Sequence, residues 1–365
     1  MLRRLTLIVK PASSNCNLKC RYCYHSERQF RSYPHMIEKT VDELMRQLSQ
    51  VANKEIYFIW HGGEPLLAGM DFYRKVVFLQ SRYLQKGFYC NSIQTNGTLL
   101  TNDWAEFLVE NKFKLGVSFD GPAEIHNYNR IFLNGLGSFE KVAKNLAMLK
   151  HKNAEVGVIT VINKKSIGRG REILDFLIGN GFKRINLSPF AEKSNGRLIE
   201  GSLMPEEYAD FMIDVFDYWI EKDDPEIKIQ NLENFFQKLI GGKALLCHST
   251  NRCSSYLSID SNGDVYLCGR FLGLSDFKVG NILENTLSEI MKSPKYLNIA
   301  KQVSSIANEC KMCQWKKICF GGCSYYRYMN GGLLNSPYYF CLSTKRILEH
   351  MVKVIKEIDS SSIKF

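Results

Sequence analysis

A run of three cysteines, Cys16, Cys20 and Cys23 in KPASSNCNLKCRYCYH, constrains this chain more than any other feature. The C-x3-C-x2-C spacing puts three thiolates on one loop, where they can ligate three irons of a [4Fe–4S] cluster and leave the fourth without a protein ligand. Most such clusters are held by four thiolates. An open iron can bind a substrate or cofactor, much as an open zinc position does in a catalytic site. Taken alone, the triad fits a redox or zinc loop equally well.

The stretch before the triad, residues 5–9, is a short apolar strand, and similar strands are expected at 55–60, 92–96, 114–119, 155–162 and 184–189. Between them, helical periodicity appears at 38–51, 72–84, 102–110, 139–151, 170–180 and 206–221. Strand–helix alternation implies a parallel sheet with crossover helices. Six such units fit an α/β chain folded as an open (β/α)6 partial TIM barrel. Barrels place their chemistry on loops at the C-terminal ends of strands, and the cysteine loop follows the first strand.

Beyond residue 230 the alternation stops, and eight of the twelve cysteines lie from Cys247 to Cys341. This predicts a first domain over 1–235, a cysteine-rich domain over 236–342 and a terminal segment over 343–365 that carries an amphipathic helix at 343–358. The DDPE stretch near residue 224 is the candidate linker. Residues 256–267 read as a hairpin turning at Ser261-Asn262-Gly263-Asp264. No run approaches 18 apolar residues, so no transmembrane helix is expected. The N-terminal apolar run is too short for a signal-peptide core, which points to the cytoplasm. Thiols stay reduced there, so the cysteines read as metal ligands rather than disulfides. Cys90 stands apart from both sets and is expected to be a buried apolar thiol.

Three further motifs fall at strand ends. His61-Gly62-Gly63-Glu64-Pro65 follows the second strand, with two glycines that permit close backbone approach and a carboxylate suited to an ammonium group. Gln94-Thr95-Asn96-Gly97 and Ser118-Phe119-Asp120-Gly121-Pro122 end the third and fourth. His126 and Arg130 follow, and Arg130 could clamp a carboxylate.

The triad with Tyr22, together with GGEP, resembles the signature of the radical SAM superfamily. There the open iron chelates S-adenosylmethionine (SAM), and Gly62, Gly63, Glu64, Pro65, Tyr22 and Ser118 would bind it. The cysteines from Cys247 to Cys341 fit iron–sulfur or zinc by spacing, and their full pattern resembles the SPASM domain. That resemblance assigns Cys247, Cys253, Cys268 and Cys323 to one auxiliary cluster and Cys310, Cys313, Cys319 and Cys341 to a second. Three [4Fe–4S] clusters would then be present. The formal charge of +11 counts every cysteine as neutral. The ligating thiolates would bring it to about +6. With no basic stripe, nucleic-acid binding is not favoured.

The resemblance implies a radical enzyme that removes a hydrogen atom from a peptide or protein substrate. It also implies an electron donor such as flavodoxin or ferredoxin. Nearly the whole chain resembles peptide-modifying radical SAM/SPASM enzymes, including the anaerobic sulfatase-maturating enzymes. That family's pattern has Gln where His61 stands and an Asp where Gly269 stands, and glycine cannot be a general base. WHGGEPLLAG and CGRF look closer to maturases of ribosomally made peptides. Peptide oxidation or cross-linking is therefore the expected function, with conversion of Cys or Ser to formylglycine as the alternative. Only fifteen residues precede Cys16, so a leader peptide would need a separate binding protein or the substrate cleft.

Overall fold

The computed structural model describes residues 4–24, 33–50, 55–152, 154–244, 246–250 and 252–362, with side chains to 358. Val51, the expected end of the first helix, lies outside them. Among the described residues the strands are β1 Arg4–Val9, β2 Glu55–Trp60, β3 Tyr89–Thr95, β4 Lys114–Ser118, β5 Val156–Ile162, β6 Arg184–Pro189, β7 Lys193–Ser194, β8 Arg197–Leu198, β9 Lys228–Ile229, β10 Tyr256–Ile259, β11 Asp264–Tyr266 and β12 Lys278–Asn281. The first six sit where the apolar runs predict them, and helices fill the intervals. The chain forms two compact units.

In the first unit, built from residues 1–119, 126–157 and 253–302, the strand order is β12-β11-β10-β1-β2-β3-β4. The pairs β1–β2, β2–β3 and β3–β4 are parallel. Their C-terminal ends therefore share one edge, which gathers the loops beginning at Lys10, His61, Asn96 and Phe119. Alternation sets the faces: Ile56, Phe58 and Trp60 are buried while Glu55 is exposed. Helix Glu38–Ser49 buries Val41, Leu44, Met45 and Leu48. Its Gln47 donates to the Ile282 carbonyl at 2.8 Å and accepts from the Leu287 amide at 2.8 Å.

The expected hairpin is present as β10 and β11, paired antiparallel. What sequence did not show is that β10 also extends the parallel sheet, with Val9 opposite Ile259. A pairing between residues some 250 positions apart leaves no local pattern. Cys90 is also corrected: at the start of β3, opposite Tyr57, it is only half-buried.

The second unit, built from residues 120–125, 158–252 and 303–365, orders its strands β5-β6-β9, with β9 parallel to β6. DDPE is a tight turn rather than an extended connector. Asp224 Oδ1 accepts from the Glu226 amide at 2.9 Å, and β9 begins two residues after Glu226. Turn-forming aspartates read as linkers in sequence because both uses favour them. The terminal helix, expected over 343–358, runs Cys341–Ser362 and packs on helix Pro205–Lys222. Ser343 Oγ donates to the Pro205 carbonyl at 2.6 Å, and Arg346 pairs with Asp210. No helix among the described residues is long and apolar enough to cross a membrane.

Candidate active site

The loop carrying Cys16, Cys20 and Cys23 leaves β1 at Lys10 and is held along its length. Lys19 and Arg21 amides donate to the Ile131 and Asn129 carbonyls, and Asn17 Nδ2 donates to Thr98 Oγ1. Cys16 Sγ accepts from the Leu18 amide at 3.4 Å and from Asn96 Nδ2 at 3.7 Å. Burial still pushes the Cys16 thiol up to about 11, and the nearby Glu64 and Cys23 add to the rise. A thiol this reluctant to ionise becomes a thiolate when a metal displaces its proton. The three cysteines are thus gathered on one anchored loop, a donor set fitted to an iron–sulfur cluster.

The GGEP loop lies directly against this one. Gly63, at φ +53°, is so close to the Asn15 carbonyl that a Cβ there would sit 2.0 Å from its oxygen. The Glu64 amide donates to that same oxygen at 2.8 Å. Gly62, at φ +130°, leaves room for the stem of Lys10, which a Cβ would meet at 2.6 Å. Both glycines of the motif are required by contact as well as by backbone conformation.

Glu64 is fully buried. Its Oε1 accepts from the Leu66 amide and Thr95 Oγ1, at 3.1 and 2.7 Å, and its Oε2 from the Asn96 amide at 2.7 Å. A carboxylate offers about four acceptor positions, so one remains, on Oε2. Burial lifts the carboxyl to about 7, while these three bonds and Arg130 hold it down. Arg130, itself buried, stacks its guanidinium carbon 5.2 Å from the centre of the Tyr22 ring. Pro65 opens a short 3₁₀ turn over Pro65–Ala68. Ser118 accepts from Gln94 Nε2 at 3.1 Å.

His126 is buried against Ser138 Oγ at 3.0 Å. Because Ser138 donates to the Arg130 carbonyl, His126 Nε2 is the donor in that pair. Its role is to hold the Arg130 segment. Asp120, in the second unit, accepts from the Val161 amide at 3.1 Å.

Lys10 is the residue that sequence reasoning passed over. It is buried, and its ammonium donates to Tyr24 Oη at 3.2 Å and the Gly269 carbonyl at 3.3 Å. His61 lies nearby, pushed down to about 3 by burial and then by Lys10 and Arg270. It is therefore neutral at ordinary pH. The signal was a lone cation at the end of the apolar run LTLIV, where the chemistry-bearing loops begin.

Of the C-terminal cysteines, Cys253 opens a 3₁₀ turn before β10, and Cys268 follows β11. In the second unit Cys247 lies in a 3₁₀ turn, and Cys323 caps helix Ser324–Gly331. Cys310, Cys313, Cys319 and Cys341 come together around one pocket, with Trp315, Tyr338 and Lys345 among its other walls. Burial pushes the Cys319 thiol up to about 12, and Cys341, Cys310 and Cys313 add to the rise. Among the described residues no three ligating side chains converge on a single point. Four sulfurs around a pocket suit a cubane, in which each thiolate holds its own iron. Gly322, at φ +70°, admits the Tyr338 ring, which a Cβ would meet at 2.3 Å.

Residues 11–177 match the Radical SAM superfamily, and residues 247–314 match the SPASM iron–sulfur cluster-binding domain. A cysteine-type anaerobic sulfatase-maturating enzyme of Clostridium perfringens is 33% identical, over 95% of this chain and 96% of its own length. The chain belongs to that family of radical SAM enzymes. A serine-type member from Bacteroides thetaiotaomicron is 32% identical over 87% of this chain and 82% of its own. The solved structure of native anSMEcpe with bound AdoMet superposes with a TM-score of 0.90, at 31% identity over 97% of this chain and 99% of that one. Radical chemistry with SAM and iron–sulfur cofactors follows from this membership.

Gly63→Ala combines backbone strain, about 1–3 kcal/mol for a non-glycine residue at this φ, with a clash against Asn15. SAM binding by the variant is expected to fall at least about tenfold. Gly69→Ala is the control. It imposes a positive φ of 85° with nothing within 4 Å, and should bind SAM within a few-fold of wild type in equilibrium dialysis.

Proposed function

We propose that this chain oxidises a cysteine or serine side chain of a peptide segment to formylglycine, the reading that the sequence alone placed second. The observation that carries it is likeness along almost the entire chain, 33% identity over 95% of its residues with a cysteine-type sulfatase-maturating enzyme. A solved relative, anSMEcpe with AdoMet and the Cp18Cys peptide, has a TM-score of 0.87 and supports a peptide substrate here. The ranking of a ribosomal-peptide maturase first rested largely on Gly269, and one position weighs less than agreement throughout both units. Gly269 remains the observation that favours that second reading, since its only polar contribution toward Lys10 is a backbone carbonyl.

In this reading Cys16, Cys20 and Cys23 hold the open cluster. Cys247, Cys253, Cys268 and Cys323 hold a second, and Cys310, Cys313, Cys319 and Cys341 a third. When bound, the cofactors supply the radical that removes a hydrogen atom from the target carbon. The residues of the chain orient and shield. Gly62 and Gly63 bring backbone against SAM, Tyr22 and Ser118 border it, and the remaining acceptor position of Glu64 receives its ammonium. A flavodoxin- or ferredoxin-like protein would deliver the electron, and a separate protein could present a leader segment.

The state of Glu64 gives this reading a pH signature. A carboxyl lifted to about 7 is protonated below that pH, and only the ionised form pairs with an ammonium. SAM affinity should therefore fall about tenfold per pH unit below pH 7. Glu64→Gln should bind weakly and lose this dependence, as read by dialysis across that range.

The direct test of function is mass spectrometry of a cysteine-type sulfatase peptide after anaerobic incubation with enzyme, SAM and reductant. Conversion of its cysteine to the aldehyde at multiple turnovers is expected. SAM cleavage without aldehyde, together with modification of a ribosomal precursor peptide, would restore the second reading. Because a Cβ at Gly269 meets no atom nearer than 3.4 Å, Gly269→Asp can place its Cβ there without a clash. It should speed aldehyde formation if a missing base limits the rate.

A further inference from the structure

The pocket formed by Cys310, Cys313, Cys319 and Cys341 contains one group that ligation leaves unexplained. Trp315, two residues after Cys313, lines it. The indole Nε1 is buried and has no hydrogen-bond acceptor among the described residues. Burying an N–H without a partner is costly. None of the four Sγ atoms serves as its acceptor, and a group that fills the pocket Trp315 lines can supply one. A [4Fe–4S] cubane brings bridging sulfides of its own, which accept hydrogen bonds and carry much of the cluster's negative charge.

We propose that Trp315 Nε1–H donates to a bridging sulfide of the cluster held by Cys310, Cys313, Cys319 and Cys341 and raises its reduction potential. The proposal rests on the reading that these four cysteines hold a cluster. A donor aimed at a sulfide stabilises the reduced cluster more than the oxidised one, because reduction adds negative charge in a region of low dielectric. Two other features act in the same direction. The Gly321 backbone favours the Cys319 thiolate, and the Lys345 charge favours that of Cys341. Trp315 differs from them in having a donor that nothing in the chain occupies.

The test is a potentiometric titration of reconstituted holoenzyme, followed by EPR, for wild type and Trp315→Phe. With iron content unchanged, one cluster should move to a more negative midpoint in the variant. A coupling to an exchangeable proton, found by pulsed EPR after transfer to D₂O, should disappear with it. Trp315→His, which keeps a ring N–H, should restore part of both. Unchanged midpoints at unchanged iron would overturn the proposal and leave Trp315 as a wall whose N–H meets water. Should Trp315→Phe lose iron, retention of iron and of the proton coupling in Trp315→His would support the donor role. Loss of iron in both variants would make Trp315 a packing residue and overturn it. The assignment of the cluster is checked separately. If replacing all four cysteines by Ala removes no iron, the ligation fails, and that result is distinct from an unshifted potential.

Discussion

The loops after β1 and β2 approach each other closely enough for the Asn15 carbonyl to accept the Glu64 amide across Gly63, and much of the first unit's chemistry depends on that contact. It exists because both loops leave parallel strands in register, Val9 opposite Trp60, and because neither glycine carries a Cβ. It sets Glu64 beneath the cysteine loop. Once there, Glu64 fixes the third strand end as well, through Thr95 and the Asn96 amide. Asn96 in turn donates to Cys16 and to Asn17. The ligand loop, the GGEP loop and the QTNG loop form one hydrogen-bonded set.

The charges in this set are unusual for a buried region, and each is explained by its neighbours. Lys10 keeps its stem over Gly62 and donates from its ammonium to Tyr24 Oη and the Gly269 carbonyl. Burial first, and then that ammonium and Arg270, keep His61 neutral. Glu64 sits near the midpoint of its titration because desolvation and three hydrogen bonds oppose each other. A carboxyl balanced in this way needs little additional field to ionise when a cation arrives, which suits it to an ammonium ligand.

The parts of this arrangement that were legible in sequence are those with local grammar. The strands were visible from short apolar runs, the three-cysteine loop from C-x3-C-x2-C, and the GGEP turn from its paired glycines. The parts that were not legible depend on distant contacts. Lys10 reads as an ordinary surface cation until Gly269, 259 positions later, is seen to accept from it. The pairing of β10 with β1 and the unpartnered indole of Trp315 are likewise tertiary facts. The two functional readings exchange places for a related reason. A single departure, Gly269, was readable as missing chemistry, whereas agreement spread thinly over 357 aligned residues was not readable from motifs.

In the proposed reaction a radical formed at the loop of Cys16, Cys20 and Cys23 removes a hydrogen atom from the side-chain carbon of a peptide cysteine. Isotope transfer tests it most directly. A sulfatase-type peptide with deuterium at that β-carbon is incubated with holoenzyme, SAM and reductant, and the 5′-deoxyadenosine is isolated and weighed. One deuterium should appear in the 5′-deoxyadenosine in step with formylglycine. Unlabelled 5′-deoxyadenosine accompanying formation of the aldehyde would contradict it.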